Sequence, residues 1–130
     1  MNAKFFDRQN QSNPANGVTV DGLGFLTAAE LKSRKPYFCE LFNEQGYKLL
    51  VGVGDPEGCA QYSLNDGSNP YLMAVADVRE DSDCFVEFLI GNEATPVPKR
   101  YCLPIETIKQ ITLYFIETGK RDPRVVWEEI

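Results

Sequence analysis

Histidine is absent from the 130 residues. That absence removes the Ser-His-Asp and Cys-His nucleophile arrangements and every histidine metal site. Cysteine is sparse and scattered: Cys39, Cys59, Cys84 and Cys102 form no C-x-x-C pair. Neither a zinc site with closely paired ligands nor a redox motif is written in that spacing. Each cysteine lies in or beside an apolar segment, as in Cys59-Ala60 and Tyr101-Cys102-Leu103. The four read as small buried hydrophobes with free thiols. No apolar run approaches the roughly 20 residues that a membrane-spanning helix needs. Residues 1–8 lack the apolar stretch of a secretory signal, which predicts a cytoplasmic chain, where disulfides are not favoured.

Positive charge is also in short supply. Lys and Arg number 13 against 19 Asp and Glu, for a formal net charge of −6 and a pI near 4.6. Such a surface repels nucleic acid and anionic membrane, because phosphate contacts need lysine and arginine. The same field attracts basic partners and speeds their encounter. Hydrophobic residues make up 43% and charged residues 25%, an ordinary globular composition that argues against disorder. A chain of this length fits one domain and can bury a core without metal or disulfide staples.

Along the chain, residues 3–6 read as a short first strand and residues 7–17 as a polar, turn-rich mobile loop. Thr27-Ala28-Ala29-Glu30 has the form of a capping box, predicting a short helix that ends near Lys35, before Pro36. Residues 37–42 and 47–53 flank Asn43-Glu44-Gln45-Gly46, a hairpin-length turn with glycine available for positive φ. Tyr47, Leu49, Val51 and Val53 share one face by period-two spacing. Residues 59–64 and 71–78 flank a second turn cluster at 65–70. Residues 84–90 form a nearly all-apolar run, predicting a central strand covered on both faces.

The clearest helix comes last. Pro104 sits at a first-turn position, Glu106 follows in the acid-favouring first turn, and Gly119 closes the end. Ile105, Ile108, Ile111, Thr112, Phe115 and Ile116 form its apolar stripe, widened by Leu113 and Tyr114. Val125-Val126-Trp127 reads as an extended tail that packs back on the body. The expected fold is α+β, a single domain over residues 1–130. It has an antiparallel β-sheet of about five to six strands, packed by a short N-terminal helix and a long C-terminal helix.

Few groups are placed to carry chemistry. Cys102, just before the long helix, is the one thiol that a helix dipole could activate, although a buried core cysteine explains it as well. Val51-Gly52-Val53-Gly54-Asp55-Pro56-Glu57-Gly58 is a strand end and turn rather than a dinucleotide loop. Glu57 falls where the third glycine of that motif belongs, and no helix follows. With 19 acids in the chain, no particular carboxylate pair points to glycoside hydrolysis.

Asp77-Val78-Arg79-Glu80-Asp81-Ser82-Asp83 packs four carboxylates into one loop-like segment. It reads either as a solvated hairpin loop whose charges keep a sheet edge from aggregating, or as an acidic patch that plugs a basic cleft. A calcium site is disfavoured, because the ordered oxygen ladder and internal glycine of an EF-hand loop are missing. Asp55, Glu57 and Asp66 are candidates to join Asp77, Glu80, Asp81 and Asp83 in such a patch.

The C-terminal 45 or so residues resemble the "Immunity protein one" family of bacterial polymorphic-toxin systems. Those proteins end with a helix, a phenylalanine, a threonine-glycine pair, a basic residue, a proline, and a near-terminal tryptophan followed by acids. Phe115, Thr118, Gly119, Arg121, Pro123, Trp127 and Glu128 match that order, and the strand ending in Gly91 is similar too. Asp122 departs from the pattern by separating Arg121 from Pro123. The resemblance implies an α+β fold, no enzymatic activity, no cofactor, and a cognate toxin partner, often a nucleic-acid deaminase or nuclease. Trp127 reads as a core residue anchoring the tail, with an interface role as the alternative. Two other functional readings stay open: a small cytosolic enzyme using Cys102 or a carboxylate pair, and an adaptor domain binding a basic partner.

Overall fold

A computed structural model describes residues 3–28, 36–54, 56–66, 68, 71–75, 85–91 and 93–130. Its first elements are β1 (Ala3–Asp7), β2 (Thr19–Val20), α1 (Gly22–Ala28), β3 (Tyr37–Phe42), β4 (Tyr47–Val53) and β5 (Glu57–Leu64). Then follow β6 (Leu72–Val75), β7 (Phe85–Ile90), β8 (Glu93–Pro98), β9 (Leu103–Pro104), α2 (Ile105–Thr118) and β10 (Val126–Glu129). The α+β class is as expected, but the described residues form ten strands rather than five to six. The main sheet runs β10-β6-β5-β4-β3-β1-β2, and its neighbouring strands pair antiparallel.

Period-two alternation divides this sheet into two buried faces. On one, Leu49, Val51 and Val53 of β4 pack with Ile108, Ile111, Phe115 and Ile116 of α2. On the other, Phe38, Cys59 and Met73 meet Phe88, Val97 and Cys102. Gly52 makes the second contact possible: a Cβ there would stand 2.4 Å from Cys59 Sγ and 2.9 Å from the Phe88 ring. The glycine of the strand-end turn thus serves close packing.

Four strands went unanticipated. β2 and β9 are two-residue pairings, too short to leave a period in the sequence. β10 forms because the extended tail finds the edge of β6, pairing Trp127 with Ala74 and Glu128 with Met73. β8 contains Pro96 and Pro98, which ordinarily argue against a strand; both lack an N–H on the same side, so an edge position accommodates them. It pairs with β7 from Phe85↔Pro98 to Ile90↔Glu93.

β7 corrects the expectation of a central strand covered on both faces. It meets the main sheet through one parallel pair, Tyr37↔Leu89, and forms a hairpin laid over the second face. Phe88 is fully buried there, whereas Ile90 is 39% exposed.

The short helix also differs. α1 begins at Gly22, where Asp21 Oδ1 accepts a hydrogen bond from Gly24 N at 2.7 Å, so Asp21 is its cap. Thr27, expected to open the helix, lies in its last turn; Glu30 and Lys35 lie outside the described residues. Two glycines give this segment poor intrinsic helicity. Tertiary packing overrides it, with Phe25 3% exposed and edge-on to Phe5 at 6.2 Å.

Backbone and side-chain amides of the segment 7–17 converge on the Asp7 carboxylate. Its Oδ1 accepts hydrogen bonds from Gln9 N and Asn10 N at 3.0 and 2.9 Å, and its Oδ2 from Asn13 Nδ2 at 3.1 Å.

α2 follows its sequence pattern closely. Pro104 precedes it, and Ile108, Ile111, Thr112, Phe115 and Ile116 are its buried residues. Gly119 ends it in the left-handed region at φ 74, its N–H donating to Phe115 O, a conformation that costs any residue with a Cβ. No helix among the described residues is long and apolar enough to cross a membrane.

Candidate functional site

Of the acids expected to share a patch, the two among the described residues, Glu57 and Asp66, sit at opposite ends of one strand. Glu57 opens β5, where it pairs with Lys99 Nζ. Asp66 lies just beyond the other end of the same strand, where its Oδ1 accepts a hydrogen bond from Ser68 N at 2.8 Å. The hydrogen bonds from Ser68 hold the Asp66 carboxyl below its ordinary value. The eight extended residues of β5 put about 23 Å between Glu57 and Leu64, with Asp66 in the turn beyond. Asp55, Asp77, Glu80, Asp81 and Asp83 lie outside the described residues.

The strands flanking residues 76–84 leave the body at the Glu57 end. β6 runs antiparallel to β5 with Gln61↔Met73 and Tyr62↔Leu72, so its last residue, Val75, points toward the start of β5. β7 begins with Phe85 opposite Pro98, the residue before Lys99.

At the Asp66 end, the turn after α2 builds a cleft of about 600 Å³ on the helix-bearing face. Its apolar floor is Tyr47, Tyr62, Leu72 and Trp127, and Lys120 and Arg121 stand beside it. Tyr47 and Tyr62 stack with centroids 5.1 Å apart and planes 18° from parallel. Trp127 meets Tyr62 edge-on at 6.4 Å, and the Arg121 guanidinium carbon lies 5.7 Å from the Tyr62 ring centre. Burial pushes the Tyr62 hydroxyl up, the neighbouring Tyr47 adds to this, and Arg121 opposes it.

Six of the seven residues carrying the family pattern build this end of the molecule, and Glu128 turns to the opposite face of the sheet. Phe115 is buried at 1% exposure. Thr118 Oγ1 donates to Tyr114 O at 2.8 Å and accepts from Lys120 N at 3.1 Å. Gly119 O accepts from Asn43 Nδ2 at 3.2 Å and from the Tyr62 hydroxyl at 3.4 Å. Arg121, Pro123 and Trp127 line the cleft. Glu128 pairs with Arg100 and accepts from the Tyr101 hydroxyl at 3.2 Å.

Asp122 organises the turn and was missed by sequence reasoning, which saw it as an interruption. It is fully buried. Its Oδ1 accepts from Arg124 N and Nε, and its Oδ2 from Arg124 Nη2 and Gln110 Nε2, all at 2.9 Å. Its carbonyl accepts from Trp127 Nε1 at 3.0 Å. The available signal was Asp122-Pro123-Arg124, an aspartate able to bond the backbone two residues on.

Burial by itself would push the Asp122 carboxyl up; hydrogen bonds from Arg124 and Gln110 outweigh it and hold the group below the ordinary carboxylate range. A carboxylate whose folded pKa lies below its unfolded value, about 3.9, adds stability above that value and loses it as pH falls through the folded pKa. Asp122→Asn should therefore be less stable than wild type by about 2 kcal/mol at neutral pH. Thermal unfolding should show the gap holding down to about pH 5 and closing below about pH 4. A gap undiminished in strong acid would contradict the assignment.

The thiol route to catalysis finds no support in the geometry. Cys102 is 2% exposed, and its Sγ faces Val97 O and Pro98 O at 3.9 and 3.6 Å. Burial first, and Glu57 second, push its thiol up to about 11, with Lys99 opposing. A dipole-activated thiol would shift the other way. Cys39 and Cys59 are buried, and burial pushes the Cys59 thiol up; Cys84 lies outside the described residues. Among the described residues, no group of three His, Cys, Asp or Glu side chains is placed to hold a metal ion.

Compared with known protein families, the chain matches the family model described as Immunity protein Imm1 over residues 7–129, nearly its whole length. A comparison with curated proteins gives no match.

Proposed function

This chain belongs to the Imm1 immunity-protein family, and from that membership we propose that it neutralises a toxin directed at nucleic acid, a deaminase or nuclease, by covering its basic active-site cleft. The family is typically non-enzymatic, so neutralisation comes from binding. The match over residues 7–129 is the observation that carries the reading. Electrostatics support the toxin class: an enzyme that holds nucleic acid must present lysine and arginine to phosphate. A chain of net charge −6 is attracted to such a surface.

The acids proposed to enter the cleft are Asp77, Glu80, Asp81 and Asp83, together with Asp55 and with Glu57 at the start of β5. Support comes from the strands on either side of 76–84, which bracket the Glu57 end of the sheet. Asp66, in the turn beyond the far end of β5, is outside this group. Inhibition is then steric and electrostatic: the acids occupy the phosphate-binding positions, and the body of the sheet excludes substrate. Co-expression with the toxin domain encoded beside this chain tests the reading through cell survival and co-purification. Rescue with a recovered complex is expected; death of the cells with both proteins present and soluble would refute it.

A further inference from the structure

The cleft at the other end of the sheet has the wrong charge for a basic surface. Lys120 and Arg121 are exposed at its rim, and among the described residues neither has an ion-pair partner. Asp122, next in the chain, cannot neutralise them, because both of its oxygens are taken by Arg124 and Gln110. Arg121 lies over the Tyr62 ring, which stacks on Tyr47 and meets Trp127 edge-on, and Lys120 stands at the same rim. Two cations with no ion-pair partner among the described residues, beside an aromatic floor, suit a carboxylate carried beside an apolar side chain.

We propose that this cleft receives an acidic segment of the cognate toxin, one presenting an aspartate or glutamate next to an apolar or aromatic residue. This inference rests on the immunity reading and adds a second point of attachment to it. A nucleic-acid occupant is disfavoured, because a polyanion would meet the repulsion of the whole molecule at −6. A single carboxylate on a protein loop meets mainly the local cations. Distance is compatible with one partner: a standard interface of about 800 Å² per side is roughly 30 Å across, enough to reach from Glu57 to the far end of β5, about 23 Å away. Opposite charges at the two ends of the interface would fix the toxin in one orientation, since the reverse docking juxtaposes like charges at both.

The test compares wild type with the double variant Lys120→Glu/Arg121→Glu, titrating each with the same toxin domain. The double reversal is expected to raise Kd at least tenfold while leaving the protein folded, because both side chains are exposed. Lys120→Arg/Arg121→Lys, which keeps both charges, should stay within threefold of wild type. Trp127 is the chain's single tryptophan, so 5-fluorotryptophan labelling places one ¹⁹F reporter in the cleft. Its resonance should shift when toxin is added. An unshifted resonance, or a Kd left unchanged or tightened by the double reversal, overturns the cleft assignment and leaves the immunity reading standing. Absence of any wild-type complex overturns both.

Discussion

Reversing Asp77, Glu80, Asp81 and Asp83 together to lysine is expected to weaken toxin binding at least about 100-fold, roughly 2.7 kcal/mol. The loss should fall mainly on the association rate. Charged groups at an interface steer the encounter, and each reversal replaces an attraction toward the basic cleft by a repulsion. Ionic strength supplies an internal check. Wild-type association should slow steeply as the Debye length shrinks from about 30 Å at 0.01 M to about 8 Å at 0.15 M. The reversed variant should lose that dependence or invert it. Stopped-flow association at several salt concentrations measures both. An unchanged rate constant with an intact fold would remove these four acids from the interface while leaving the immunity role in place.

Trp127→Ala is expected to destabilise the fold by about 3 kcal/mol, the lower end of the range for removing a core tryptophan. The lower end applies because the indole is half-buried rather than enclosed. Its loss removes the edge contact with Tyr62, part of the cleft floor, and the hydrogen bond to the Asp122 carbonyl. It also loosens β10, whose pairing with β6 runs through Trp127↔Ala74. For a chain of this length the melting temperature should fall by roughly 10 °C. Trp127→Phe should recover about half of that loss by restoring a ring without the N–H. A Trp127→Ala protein of unaltered melting temperature would exclude the core role.

How much of this was legible depended on where the physics was local. α2 could be read because its signals lie in consecutive residues: Pro104 before it, a stripe at helical spacing, and a glycine where the chain turns left-handed. The β3–β4 hairpin was legible for the same reason, its turn and alternation being contiguous. α1 was not, since its glycines argue against a helix and only the distant Phe5 explains Phe25. β8 was hidden by its two prolines, which become acceptable only once the strand is known to be an edge.

The candidate site divides along the same line. Glu57 and Asp66 look equivalent as loop acids; only the register of β5 shows that they sit at opposite ends. Asp122 appeared to interrupt a pattern, and its burial under Gln110 and Arg124 depends on how the last turn folds against α2. The cationic cleft was invisible because it joins β4, β5, β6 and the C-terminal turn, which no sequence window holds together.

The central claim is that this chain silences its toxin by occupying it, and stoichiometry tests that most directly. Toxin activity on its nucleic-acid substrate should be titrated with purified protein at concentrations well above Kd. Activity should fall linearly to zero at one molecule per toxin, with the toxin recovered active once the complex is separated. Inactivation by far less than one equivalent, or a toxin left permanently altered, would mean that this chain performs chemistry after all.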